Sequence, residues 1–159
     1  MREFDLEGLR FASYQADIFE ASVERLDCSS LVFLRRFGKS SLAYRLDQAI
    51  PTQSLDVNDA FYELSQEFPS SDYGKVKYSP DAMHWLGYIY RYMAYVYHCP
   101  TKRLFSLFPV KQTVRDYYVY HTQSEQWCVE NWLERFGWTL EDLDDELRAK
   151  AILRKRYEK

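Results

Sequence analysis

Residues 79–98 read SPDAMHWLGYIYRYMAYVYH. The stretch opens with a helix start: Ser79 as cap, Pro80 at the first helical position and Asp81 in the first turn. Tyr88, Tyr90 and Tyr92 alternate as strand residues would. The start signal and the length decide for a helix from 81 to about 98, since that run is too long for an ordinary strand. Such a helix spans ~27 Å. It is apolar nearly all round, which places it inside a core. Other helices must then surround it.

The rest of the chain offers them. From 6 to 27, Leu9, Ala12, Ala16, Phe19, Val23 and Leu26 recur in steps of three and four, one helix face. Glu20 and Glu24 lie beyond that stripe, toward solvent. Ser29 or Ser30 can cap SLVFLRRF, which Gly38 can end. Ser40 or Ser41 opens LAYRLDQA, stopped near Pro51, and Asp56 caps VNDAFYELSQEF. Residues 69–79 read as a loop, with a short strand at 75–78 as an option. Pro100 and Pro109 bracket TKRLFSLF, and 110–118 is a further helix candidate. Ser124 opens EQWCVENWLERF, followed by Gly137. Thr139 caps a last helix, 140–157, which starts acidic and ends basic, as the helix dipole favours. A chain of 159 residues buries roughly 70% of its unfolded surface, enough for a core without staples. The expected fold is all-α: a single domain over 1–159, a bundle of six to eight helices around the Tyr-rich helix.

Several chemistries are disfavoured. Cys28, Cys99 and Cys128 form no CxxC pair, which fits free thiols in a reducing compartment. The N-terminus lacks an apolar signal region, so the expected location is cytoplasmic. Arg91 in mid-helix and the excess of tyrosine over leucine argue against a membrane span. There is no Gly-rich phosphate loop, no HExxH and no GxSxG. His98, Cys99, His121 and Cys128 lack the spacing of a zinc site, so no metal and no cofactor are expected. The chain reads as a non-enzyme. A net charge of −3 argues against nonspecific nucleic-acid binding. Two features point the other way. SLVFLRRFGKSSLAYRLDQ has helix–turn–helix length, and Lys102, Arg103, Lys111 and Arg115 form a basic patch near Tyr117, Tyr118 and Tyr120.

Within the Tyr-rich helix, Ala82, Leu86, Ile89, Met93 and Val96 form an apolar stripe. His84, Arg91 and His98 recur every seven residues, so each drifts only ~20° from the last. Tyr88 and Tyr95 fall between them, giving one ridge, His84-Tyr88-Arg91-Tyr95-His98, flanked by Trp85 and Tyr92. A buried arginine is rare unless paired. Arg91 therefore reaches solvent, pairs with an acid such as Asp116 or Glu130, or lines a pocket suited to an anion or an acidic partner loop.

Three stretches carry a resemblance: LVFLRRFGKS at 31–40, YGKVKYSPDAMHWLGYIYRYMAYVY at 73–97 and YHTQSEQWCVENWLE at 120–134. They resemble FIRRFM, KYS…W-x-GYIYRYW and YHT motifs of small all-helical cytoplasmic proteins of Gram-positive bacteria. The likeness covers much of 29–134. Gly38, Met93 and Cys128-Val129 stand where that pattern has Met, Trp and Ala-Ile. Some members lie beside genes resembling ADP-ribosyltransferase toxins, so the resemblance implies an antitoxin-like role. The expected function is partner binding, with Arg35, Arg36, Arg91, Tyr120 and His121 as anchors. The alternatives are a small anion or nucleotide held by His84, Arg91 and His98, and a nucleic-acid-binding regulator.

Overall fold

A computed structural model describes residues 1–50, 54–69 and 73–158. All regular structure among them is helical. The expected stop at Pro51 and residues 70–72 of the expected loop lie outside the described residues.

The capping signals place the helices. α1 (Leu6–Arg25) starts at Asp5, whose side chain accepts from the Gly8 N–H. α2 (Ser30–Gly38) and α3 (Ser41–Asp47) start at Ser29 and Ser40, each accepting from the N–H three residues on. Asp56 caps α4 (Val57–Glu67), and Ser79 caps α5 (Pro80–Tyr97) with Pro80 in its first turn. α6 (Thr101–Leu107) follows Pro100. The stretch expected as one helix at 110–118 is α7 (Val110–Thr113), a 3-10 turn (Val114–Asp116) and α8 (Tyr117–Tyr120). Ser124 caps α9 (Glu125–Phe136), and Gly137 ends it in the left-handed region, φ 74°.

The expected last helix is two. α10 (Leu140–Leu143) ends at Asp144, whose extended backbone (φ −81°, ψ 114°) restarts the chain as α11 (Asp145–Tyr157). Asp144 accepts from the N–H groups of Glu146 and Leu147, so a buried cap interrupts the run. These breaks give more segments than the six to eight helices expected. The optional strand at 75–78 is also absent. Instead Tyr73 and Val76 carbonyls accept from the Ser29 and Ser30 N–H groups at the start of α2. Lys77 Nζ caps the end of α1 by donating to the Val23 carbonyl at 2.6 Å and to the Leu26 carbonyl.

The most extensive helix contact is between α1 and α5. Its closeness depends on Gly87. A Cβ there would lie 2.7 Å from the Gln15 carbonyl oxygen and 2.8 Å from the Ala16 Cα, so no side chain fits. The buried residues of α1 are Gly8, Phe11, Ala12, Tyr14, Gln15, Ala16, Ile18, Phe19 and Ser22. The expected stripe was turned slightly off these residues, and Leu9 is exposed.

The tyrosines of α5 are divided by depth. Tyr90 is buried; its hydroxyl donates to the Phe108 carbonyl and shares a 2.8 Å hydrogen bond with Thr113 Oγ1. Burial pushes its phenol well above the ordinary value. Tyr95 donates to Asp5 Oδ1 at 2.7 Å, and Tyr92 meets Phe4 edge-on. Trp132 of α9 is fully buried against Trp85, Tyr90, Phe108 and Tyr120. No helix among the described residues is long and apolar enough to cross a membrane.

Candidate functional site

Arg91 is not a surface anchor. It is 1% exposed, and each face of its guanidinium is committed. Nε donates to Gln15 Oε1, Nη1 to Asp47 Oδ1 and Nη2 to Thr101 Oγ1, each at 2.8 Å. Gln15 Nε2 in turn donates to the Gly87 carbonyl at 3.0 Å. Asp47 also accepts from the Thr101 N–H and hydroxyl, at 3.0 and 2.6 Å. One polar network thus joins α1, α3, α5 and the start of α6. Desolvation lowers the guanidinium's proton affinity and the Asp47 charge opposes this. The acid is Asp47, not Asp116 or Glu130. Asp116 accepts instead from Trp132 Nε1 and from both Nη groups of Arg135.

The ridge is therefore broken. His84 and His98 lie fourteen residues apart on one helix, about 21 Å along its axis, with the buried Arg91 between them. They share no pocket for an anion. Tyr95 is buried. His98 is exposed and ends α5 in the left-handed region (φ 52°), with Nδ1 3.3 Å from Arg2 Nη2. Tyr120 is buried too, stacked on Trp132, so it is a core residue rather than a polar anchor. His84, Tyr88 and His121 do come together, around a pocket of about 420 Å³ that also takes in Glu20, Asp81 and Tyr117.

Nor does the helix–turn–helix reading keep its charges. Arg45 Nη1 pairs with Glu63 at 2.6 Å, and Asp47 belongs to Arg91. The cysteines are free and buried, and burial raises the Cys99 thiol to about 12 and Cys128 to about 11. Neither is an activated nucleophile. Arg36 is half-buried beside a cavity of about 120 Å³ lined by Cys28, Phe33 and Phe61.

Arg35 has a different setting. It lines a groove of about 420 Å³ between α2 and the α6–α7 segment. Arg35, Lys39, Lys102 and Lys111 stand around it, over a floor of Leu31, Leu34, Phe105 and Val110. No acidic residue lines it, and none of the four cations makes an ion pair among the described residues. Two sequence features are fused here: the basic end of SLVFLRRFGK and the basic patch after Pro100. Pro109 and Gly38 shape its ends; a Cβ at Gly38 would lie 3.1 Å from the Phe105 ring.

The groove combines apolar contact with unscreened positive charge in a chain of net charge −3. Such a surface recognises carboxylates or phosphates that flank an apolar group. No family model, curated protein or solved structure matches the chain.

Sequence reasoning placed Lys39 beside Arg35 and Arg36 at the turn of the helix–turn–helix candidate, but missed that it faces Lys102 and Lys111 across a floor that includes Phe105. The available signal was the absence of acids from both 31–46 and 98–115.

Proposed function

We propose that the protein is a cytoplasmic, non-enzymatic binding module: a single helical bundle organised on α5 that offers the α2/α6–α7 groove to an acidic protein partner. The observation that carries this is the set of four cations that make no ion pair among the described residues, around an apolar floor. In an otherwise acidic chain, self-repulsion among Arg35, Lys39, Lys102 and Lys111 is relieved when carboxylates dock between them. Leu31, Leu34 and Phe105 would receive the partner's apolar side chain.

The motif resemblance makes a toxin of the ADP-ribosyltransferase type, encoded nearby, the partner to test first. The chain would then act as an antitoxin, blocking the toxin by direct contact. The nucleic-acid reading rests on the same cations, but the apolar floor suits a protein side chain better than a phosphate backbone. Affinity capture with the wild-type and a Lys39→Glu/Lys102→Glu bait, followed by titration of the captured protein, tests this reading. Retention on duplex or single-stranded nucleic acid at low salt, with no protein captured, would replace it with the regulator reading.

A further inference from the structure

We propose that Asp17, Glu20 and His84 form a binding site for a divalent first-row transition-metal ion. The site lies at the open edge of the α1–α5 contact, away from the basic groove, and is independent of the partner-binding reading.

The placement follows from the fold. Asp17 and Glu20 are three apart on α1 and so share one face of it. Gly87 lets α5 press against Gln15 and Ala16, and His84 lies one turn before Gly87. The close crossing therefore brings an imidazole up to two carboxylates on the neighbouring helix. His84 Nδ1 is 3.8 Å from Asp17 Oδ1 and 3.6 Å from Glu20 Oε2. One donor atom from each of the three residues lies within 4.8 Å of the others.

The distances are informative. A direct N–H···O bond would be about 2.7–3.2 Å, and neither separation reaches that range. Nitrogen and oxygen ligands sit roughly 2.0–2.2 Å from zinc. Two ligands of one such ion are then roughly 3–4 Å apart, where the His84 pairs are found. His84 Nδ1 is also shielded from solvent and has no hydrogen-bond partner, although the ring as a whole is 45% exposed. In the tautomer with its proton on Nε2, Nδ1 presents a lone pair that no protein donor satisfies and that a cation would.

The donor set indicates the ion. One imidazole and two carboxylates suit zinc, manganese, iron or nickel better than calcium or magnesium, which take oxygen donors throughout. Two carboxylates leave a divalent ion electrically balanced. The adjoining pocket of about 420 Å³ leaves room for water or a small anionic ligand to complete the coordination. His121 lines the same pocket. Its Nδ1 is 2.6 Å from the Tyr117 carbonyl, which can only accept, so in the neutral ring Nε2 carries the free lone pair. It lies outside the three-residue group and is not assigned as a ligand.

The test uses the full chain, stripped with EDTA and dialysed. Titration calorimetry with zinc chloride should show one saturable site per chain. Asp17→Asn, Glu20→Gln and His84→Gln should each weaken it tenfold or more, with unchanged melting temperatures in the metal-free state. His98→Gln should bind as wild type. Cobalt(II) in the wild-type chain should give ligand-field bands without a thiolate charge-transfer band. Absence of saturable binding, affinity that survives all three substitutions, or a thiolate band placing the ion on the cysteines would each overturn the proposal.

Discussion

Arg91 Nη1 of α5 and Asp47 Oδ1 of α3 are held 2.8 Å apart, with the arginine 1% and the aspartate 11% exposed. Removing either partner leaves the other charge buried without its counter-ion. That typically costs about 3–5 kcal/mol, whereas replacing both by apolar groups costs far less. Arg91→Ala and Asp47→Ala should therefore each lower the melting temperature by on the order of 10 °C. Arg91→Met/Asp47→Leu should lose less than the two alanine variants summed. Urea denaturation of the three proteins checks this. An Arg91→Ala chain as stable as wild type would mean that the network contributes nothing.

Gly87 sets the distance between α1 and α5. Any Cβ there meets the backbone of α1, which cannot swing aside as a side-chain tip would. Gly87→Ala should destabilise by about 1–3 kcal/mol, against the usual gain for Gly→Ala in a helix. Denaturant midpoints give the sign directly.

Asp5 links the start of α1 to α5. Its Oδ1 accepts from the Gly8 N–H at 2.9 Å and from the Tyr95 hydroxyl at 2.7 Å. These bonds, the Gly8 one foremost, hold its carboxyl below the ordinary 3.8. A depressed acid adds stability above its unfolded value and loses it as pH falls through the folded value. Wild type should therefore lose stability on acidification from about pH 5 toward pH 3 more steeply than Asp5→Asn. Tyr95→Phe should fall between them. Urea midpoints across that range, compared among the three proteins, report the difference.

Local signals in the chain were enough for most helices. Ser29, Ser40, Asp56, Ser79 and Ser124 each accept from an N–H of the turn that follows, where the sequence placed a cap. What could not be read depends on contacts between distant residues. Arg91 and Asp47 are 44 positions apart, and neither Asp47 nor Thr101 is distinguished from other polar residues by periodicity. The heptad spacing of His84, Arg91 and His98 gave a shared face but no depth, and α1 and α3 bury only the middle residue. Lys39 and Lys102 likewise became neighbours only through the packing of α2 on α6. Gly87 was a more legible omission. A glycine amid a long apolar helix, in a chain whose first helix carries the small residues Gly8, Ala12 and Ala16 along its apolar side, indicates close helix approach.

The groove lined by Arg35, Lys39, Lys102 and Lys111 carries the functional account. The most direct test is affinity capture from native cells with two baits, wild type and Lys39→Glu/Lys102→Glu, followed by calorimetric titration of any stoichiometric protein captured. Exposed substitutions of this kind change stability by about 0.5 kcal/mol or less, so both baits should be equally folded. The account predicts an acidic protein held by wild type, lost from the charge-reversed bait and released by moderate salt. Equal retention by both baits, or no stoichiometric protein on either, would contradict it.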